Sequence, residues 1–316
     1  MKANAVVFSE AGQLQFRAVD LRLPAANEVV VETGFSSISS GTERLLFQGK
    51  LPALPHFGYP LVPGYEAAGT VVETGADVRD IHVGDEVFVG GSMCYTDIVA
   101  AFGGQSSRLI KRAEQVVSLN GIALAHAPLL ALAATALHGV RRLGDCGGRR
   151  VAVLGMGAVG QLAAAFLTAA GADVVAVDRS ADRLATSSAA TKINVSDAPL
   201  EEQLAEPVAG IIEATGISNE IARCARVMES GGTIVLLSYY DVLTTPFMDL
   251  FVKEASILVS REWAPSDLIA GRDMVAEGRV DLAALASYVL PIDQYELAYH
   301  TAFNDPSILK VVLQWA

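Results

Sequence analysis

Short Val-dense apolar runs, separated by turn-forming residues, fill the first 120 residues: NAVVF, EVVVET, AAGTVVETG, GDEVFVGG and EQVVSL. That spacing predicts an all-β unit that closes like a barrel. Near residue 148 the rhythm changes. RRVAVLG reads as a wholly apolar strand, and AVGQLAAAFLTAAG as a helix closed by glycine. ADVVAVD, KINV, VAGIIEATG and GGTIVLLS read as further strands, with helices over ADRLATSSAA and near 218–229. Strands alternating with helices predict a doubly wound parallel sheet. From about 265, SDLIAGRDMVAEG predicts a helix, and ASYVLPI and LKVVLQW return to strands that pack back on the first unit. The expected division is residues 1–120 with 262–316, and residues 121–261.

One apolar run, GIALAHAPLLALAATALHGV over 121–140, has the length of a membrane span. Pro128, His126 and His138 interrupt it, so a buried helix between domains is expected.

Composition narrows the function classes. The chain has 316 residues, 52% hydrophobic and 18% charged, enough for two domains with separate cores. A formal charge of −12 repels phosphate backbones, so nucleic acid is not expected as a partner. Cys94, Cys146 and Cys224 form no C-x-x-C pair, which argues against a disulfide framework and a cysteine zinc cluster. No cationic stretch leads into an apolar one at the start, so a cytoplasmic protein is expected.

The strongest chemical signal is G-x-G-x-x-G at Gly155, Gly157 and Gly160, between a strand and a helix. Gly155 permits the tight turn, Gly157 lets backbone approach a pyrophosphate, and Gly160 seats the helix on the strand. Ala158 and Val159 begin a helix whose unpaired N–H groups favour phosphate. Asp178 ends the next strand, 23 residues after Gly155, near the spacing of the acid that binds ribose hydroxyls. Its charge repels a 2′-phosphate and favours NAD. Arg179, next in sequence, offers adenine or a phosphate a cation and keeps NADP open.

Several stretches together resemble the medium-chain dehydrogenase/reductase superfamily along the whole chain: SSGTERL (39–45), PGYEAAGTVVETG (63–75), VGDEVFV (83–89), LGMGAVG (154–160), EATG (213–216) and GGTIVLL (231–237). The resemblance implies a GroES-like β-barrel catalytic domain and a Rossmann domain. It adds Thr215 and Ser238 to the expected cofactor site, and a homodimer whose sheet extends at GGTIVLLSYY. Zinc members of the superfamily carry Cys and His where this chain has Ser40 and Tyr65; Glu66 is retained. A hydroxyl and a phenol are poor zinc ligands near neutral pH, so no catalytic metal is expected.

SGTERLLFQG, GYPLVPGYEAAGTVVETG and MCYTDIVAAFGGQSSRL resemble one zinc-less branch, which oxidises the ring A hydroxyethyl group of a bacteriochlorophyllide to acetyl. A tetrapyrrole substrate, and transient contact with a membrane, are what that resemblance implies. The residues alone support a nicotinamide oxidoreductase, with a dehydrogenase or enone reductase of a small sugar or polyol, or a silent nucleotide-binding redox sensor, as alternatives.

Without zinc, side chains must take the alcohol proton. Tyr65 is the first candidate, as a donor at the reacting oxygen or as a plug in the vacated metal space. Thr42 matches a relay hydroxyl, and Glu66 reads equally as a base, if burial raises its pKa, or as a structural acid paired with a basic residue. Ser40 and Glu43 follow, Glu43 as an orienting group. His138 reads as a satisfied helix histidine. For a flat aromatic substrate with a carboxylate, Phe47, Phe57, Tyr59, Tyr95 and Phe102 are the candidate walls, and Arg44, Lys50 and Arg108 the candidate cations.

Overall fold

The computed structural model describes residues 1–51, 58–286 and 288–315. The chain forms two compact units, Met1–Ala131 with Leu282–Ala316, and Leu132–Asp281. The helix Pro265–Ala276, expected in the first unit, belongs to the second. Its Asp267 is the reason: the buried carboxylate accepts from His138 Nδ1 at 2.7 Å and Ala264 N at 2.9 Å, and pairs with Arg141.

The first unit is β-rich. A four-stranded sheet runs in the order Gln13–Asp20, Lys2–Glu10, Leu61–Val62, Val99–Ala100. A second sheet runs Tyr288–Pro291, Val311–Gln314, Glu28–Ile38, Ala67–Thr74, Glu86–Val89, Val116–Ser118, with Arg108–Arg112 also paired to Glu28–Ile38. Each Val-dense run lies in one of these strands. Gln13–Asp20 and Arg108–Arg112 carry too many polar residues to stand out, and hold their places by pairing. The C-terminal strand Val311–Gln314 pairs antiparallel with Glu28–Ile38, which brings residue 310 beside the 36–43 segment.

The second unit is a six-stranded parallel sheet in the order Thr191–Asn194, Asp173–Asp178, Arg150–Leu154, Val208–Glu213, Met228–Leu236, Ser256–Val259. Val151, Val153, Val175, Val177, Ile211 and Ile212 are almost wholly buried, as strands covered on both faces must be. The strand order reverses between Arg150–Leu154 and Val208–Glu213, where ligands bind in such sheets. Met228–Leu236, expected to extend the sheet across a dimer, lies inside it; Ser256–Val259 is the edge. That strand lacks the long apolar run that marks its neighbours.

The apolar run at 121–140 becomes a 3₁₀ turn, Ala127–Leu129, and a helix, Leu130–Leu143. Among the described residues no helix is long and apolar enough to cross a membrane.

Candidate active site

In the second unit the chain leaves Arg150–Leu154 through Gly155, which is left-handed at φ +92°. The helix Ala158–Ala169 then starts at Gly157 with no side-chain cap, so its first N–H groups have no acceptor from the helix. A Cβ on Gly160 would lie 1.8 Å from Gly155 O, so the helix packs this close only with glycine there. A Cβ on Gly157 would meet nothing within 4 Å. The protein's own packing leaves that space clear, as a pyrophosphate needs.

Asp178 ends its strand beside this turn. Its carboxylate accepts from Met156 N at 2.6 Å and Ser180 N at 2.8 Å, so it braces the glycine turn and keeps lone pairs for a ribose. Arg179 is exposed. Thr215 follows the neighbouring strand, and its Cγ2 would lie 3.0 Å from a Cβ on Gly155. Ser238 packs against Gly216 in the adjoining loop. The expected cofactor residues thus share the carboxyl end of one sheet.

Glu213 was not foreseen. Fully buried, it accepts from Thr215 N at 2.9 Å, Gly216 N at 3.3 Å and the Thr215 hydroxyl, and so shapes the turn at the switch point. Burial, first of all, pushes its carboxyl up to about 7.

In the first unit, Tyr65 lies where the sequence places the missing metal ligand. Its hydroxyl is 2.8 Å from Ser39 Oγ and 3.5 Å from Thr42 Oγ1. Burial first, then the charge of Glu66, pushes the phenol well above its ordinary value, so it stays protonated. Ser40 does not join this cluster. The strand Glu28–Ile38 ends just before, and Ser39 Oγ turns inward to accept Thr42 N at 3.3 Å while Ser40 faces solvent. Four serines in SSISSGTE gave the sequence no means to choose between them.

Glu66 is not an available base. Its Oε2 is 2.6 Å from Lys310 Nζ and accepts from Ser37 Oγ, and both charged side chains are almost completely buried. Lys310 was unforeseen, because nothing in SILKVV marks a lysine that points inward. The carboxyl with a raised pKa is Glu43, pushed up to about 7 chiefly by burial. It accepts from Ser39 N at 2.9 Å and the Tyr299 hydroxyl at 2.6 Å, with Gln105 Nε2 at 3.5 Å. Its bond to Ser39 N is the contact that an orienting group would make.

The candidate walls divide. Phe102 meets Tyr65 edge-on, with ring centres 5.2 Å apart. Phe47 packs on Phe8 and Phe303 at 5.4 and 5.6 Å and is part of the core. Tyr95 donates to Gly103 O at 2.6 Å, and Tyr59 to Leu46 O. Arg44 donates to Phe303 O at 3.2 Å, Arg108 pairs with Glu32 at 3.5 Å, and Lys50 is exposed. Phe57 lies outside the described residues.

Glu43 and Glu213 set a pH dependence of stability. Both hold a proton more tightly folded than unfolded, so each stabilises the fold below about 4.5 and loses that contribution as pH rises to about 7. At ~1.4 kcal/mol per unit, the loss is about 3 kcal/mol for each. Glu213→Gln is expected to narrow the difference in unfolding midpoint between pH 5 and pH 8; an unchanged difference in calorimetry refutes the assignment.

A parallel sheet with a glycine turn at its switch point, and a separate β-rich unit, are the parts of a two-domain nucleotide-dependent dehydrogenase. Comparison with known proteins agrees. Residues 25–121 match the alcohol dehydrogenase GroES-like domain, and residues 158–277 match the family described as zinc-binding dehydrogenase. The chain belongs to the medium-chain dehydrogenase/reductase superfamily and is an oxidoreductase acting on CH–OH groups. It is 36% identical to 2-desacetyl-2-hydroxyethyl bacteriochlorophyllide A dehydrogenase of Cereibacter sphaeroides, covering 100% of this chain and 99% of that one. Its identity to the Rhodobacter capsulatus protein of the same name is 33%, with 100% and 99% covered. A short chain alcohol dehydrogenase from Escherichia coli CFT073, solved with NADH, superposes with a TM-score of 0.88 at 21% identity, covering 99% of each chain.

The residues present do not fit the zinc in the second family's description. At the corresponding positions Ser40 faces solvent, the Tyr65 phenol is protonated and hydrogen-bonded, and Glu66 is paired with an ammonium. Among the described residues no three His, Cys, Asp or Glu side chains come together as a metal site.

Proposed function

We propose that the protein oxidises the 3-(1-hydroxyethyl) group of a bacteriochlorophyllide or chlorophyllide to 3-acetyl, with NAD and without zinc, in bacteriochlorophyll biosynthesis. The full-length similarity to enzymes named for that substrate carries the reading. NAD is favoured by the Asp178 carboxylate beside the glycine turn, which disfavours a 2′-phosphate. The protein works in the cytoplasm, in transient contact with the membrane that holds the pigment.

The bound dinucleotide supplies the hydride acceptor. The chain's own residues manage the proton. Tyr65, kept protonated, donates a hydrogen bond to the oxygen as it becomes an alkoxide. Tyr65 keeps its own proton; the substrate's hydroxyl proton goes to Thr42 Oγ1, 3.5 Å from Tyr65 Oη, as that half-buried hydroxyl releases its own to solvent water, so no phenolate forms. Glu43 holds Ser39 through its backbone N–H, and Lys310 keeps Glu66 engaged outside this relay.

The decisive assay is turnover of 3-hydroxyethyl bacteriochlorophyllide a with NAD and a chelator present. Product formation at an unchanged rate is expected. Activity lost to the chelator overturns the zinc-free mechanism, and turnover of a polyol in place of the pigment overturns the substrate. Tyr65→Phe is expected to lower kcat by about 10²–10³, as loss of one donor to a developing oxyanion does, with a stability loss of no more than about 1–3 kcal/mol from the Ser39 hydroxyl it leaves without that partner. A rate within threefold of wild type, roughly the effect of one peripheral contact, removes Tyr65 from the mechanism.

A further inference from the structure

Phe102 has φ +72°, a left-handed conformation that an aromatic residue rarely adopts. Glycine or asparagine would take this position with less strain. The surrounding backbone enforces it. Ser92 N donates to Phe102 O at 2.7 Å, Gly103 N to Val62 O at 3.2 Å, and Gly104 N to Gly64 O at 2.6 Å. Three glycines make these approaches feasible. A Cβ would lie 2.3 Å from Phe102 O at Gly91, 2.1 Å from Ser92 O at Gly103, and 2.7 Å from Gly64 O at Gly104. Gly64 immediately precedes Tyr65. One clasp of backbone therefore holds both aromatic residues in register.

The result is an edge-to-face pair, ring centres 5.2 Å apart and planes at 71°, with the Tyr65 hydroxyl on Ser39 at 2.8 Å. Phe102 also packs against the core cluster of Phe8, Ile38 and Leu46, so it joins a rigid core to the phenol. We propose that Phe102 is a positioning residue, whose ring fixes the direction in which Tyr65 presents its hydroxyl. Its part in turnover rests on the proposed function; its hold on Tyr65 does not.

The test uses the full chain carrying 3-fluorotyrosine, with the Tyr65 fluorine resonance assigned by its absence in Tyr65→Phe. Phe102→Leu, which keeps apolar volume but no ring, is expected to shift or broaden that resonance. It should lower kcat by about tenfold while KM and NADH affinity hold, the pattern of a misdirected group. Phe102→Gly suits the backbone, so its unfolding midpoint should equal or exceed that of Phe102→Leu while the rate loss remains. Phe102→Tyr, which keeps a ring, is expected to restore most of the rate. An unmoved Tyr65 resonance in Phe102→Leu overturns the proposal, as does a rate loss that follows stability across the series. If the wild-type enzyme oxidises no hydroxyethyl pigment, the functional reading fails and the fluorine spectrum alone decides the role of Phe102.

Discussion

Gly160→Ala is expected to weaken dinucleotide binding severely and to weaken the fold, whereas Gly157→Ala, three residues away, is expected to weaken binding alone. The two glycines face different neighbours. A methyl group on Gly160 would lie 1.8 Å from Gly155 O, a backbone atom that cannot rotate aside. The helix Ala158–Ala169 must move off its strand, and its N–H groups move with it. Overpacking of this kind costs about 1–3 kcal/mol or more, which lowers the melting temperature by ~2–5 °C or more in a protein of this size. NADH affinity should fall by at least about 100-fold, because the phosphate cradle and the helix end are displaced together. At Gly157 the methyl group enters open space. Only the ligand meets it, so NADH affinity should fall about tenfold with the melting temperature within ~2 °C. Fluorescence titration of NADH and a thermal scan check both variants. Equal binding losses with equal stability losses would mean that the open space at Gly157 is not the pyrophosphate site.

Lys310→Met should destabilise the protein strongly at neutral pH and mildly in acid. Lys310 and Glu66 pair at 2.6 Å with side chains 4% and 0% exposed. Removing one partner strands a buried charge, at a cost of about 3–5 kcal/mol. The carboxyl can escape that cost by taking up a proton, which becomes less unfavourable by about 1.4 kcal/mol for each unit that the pH falls, here from 7 to 5. The destabilisation measured by urea unfolding is therefore expected to shrink by about 2–3 kcal/mol between those pH values. The double variant Lys310→Met, Glu66→Gln should recover most of the loss at pH 7, since a neutral amide retains the Ser37 hydrogen bond. A single variant that is equally unstable at both pH values, or a double variant no better than the single, contradicts the buried pair.

The glycine turn and the acid beside it were legible because their geometry is local. Gly155, Gly157, Gly160 and Asp178 lie on consecutive strand, turn, helix and strand, and their spacing carries their geometry. The hydroxyl site was half legible. Tyr65 and Thr42, both candidates from the sequence, have their hydroxyls 3.5 Å apart. Ser40, Glu66 and most of the candidate walls do not serve as expected, because their directions depend on contacts far along the chain. Glu66 reads equally as a base or as one half of an ion pair until Lys310, 244 positions later by its number, is folded against it. Phe47 and Tyr95 read as a pocket lining but fill the interior or tie down a loop.

Apolar periodicity and glycine placement, both short-range properties, determined the two architectures and the dinucleotide turn, since a strand or a tight turn must satisfy its own sterics wherever it lies. Tertiary structure alone decided which serine meets the phenol, which carboxyl is neutralised by an ammonium and which is left to burial, and which aromatic ring steadies Tyr65. Those outcomes follow from desolvation and from the pairing of groups brought together across the sheet, and a linear pattern does not record what faces a side chain once water has been removed.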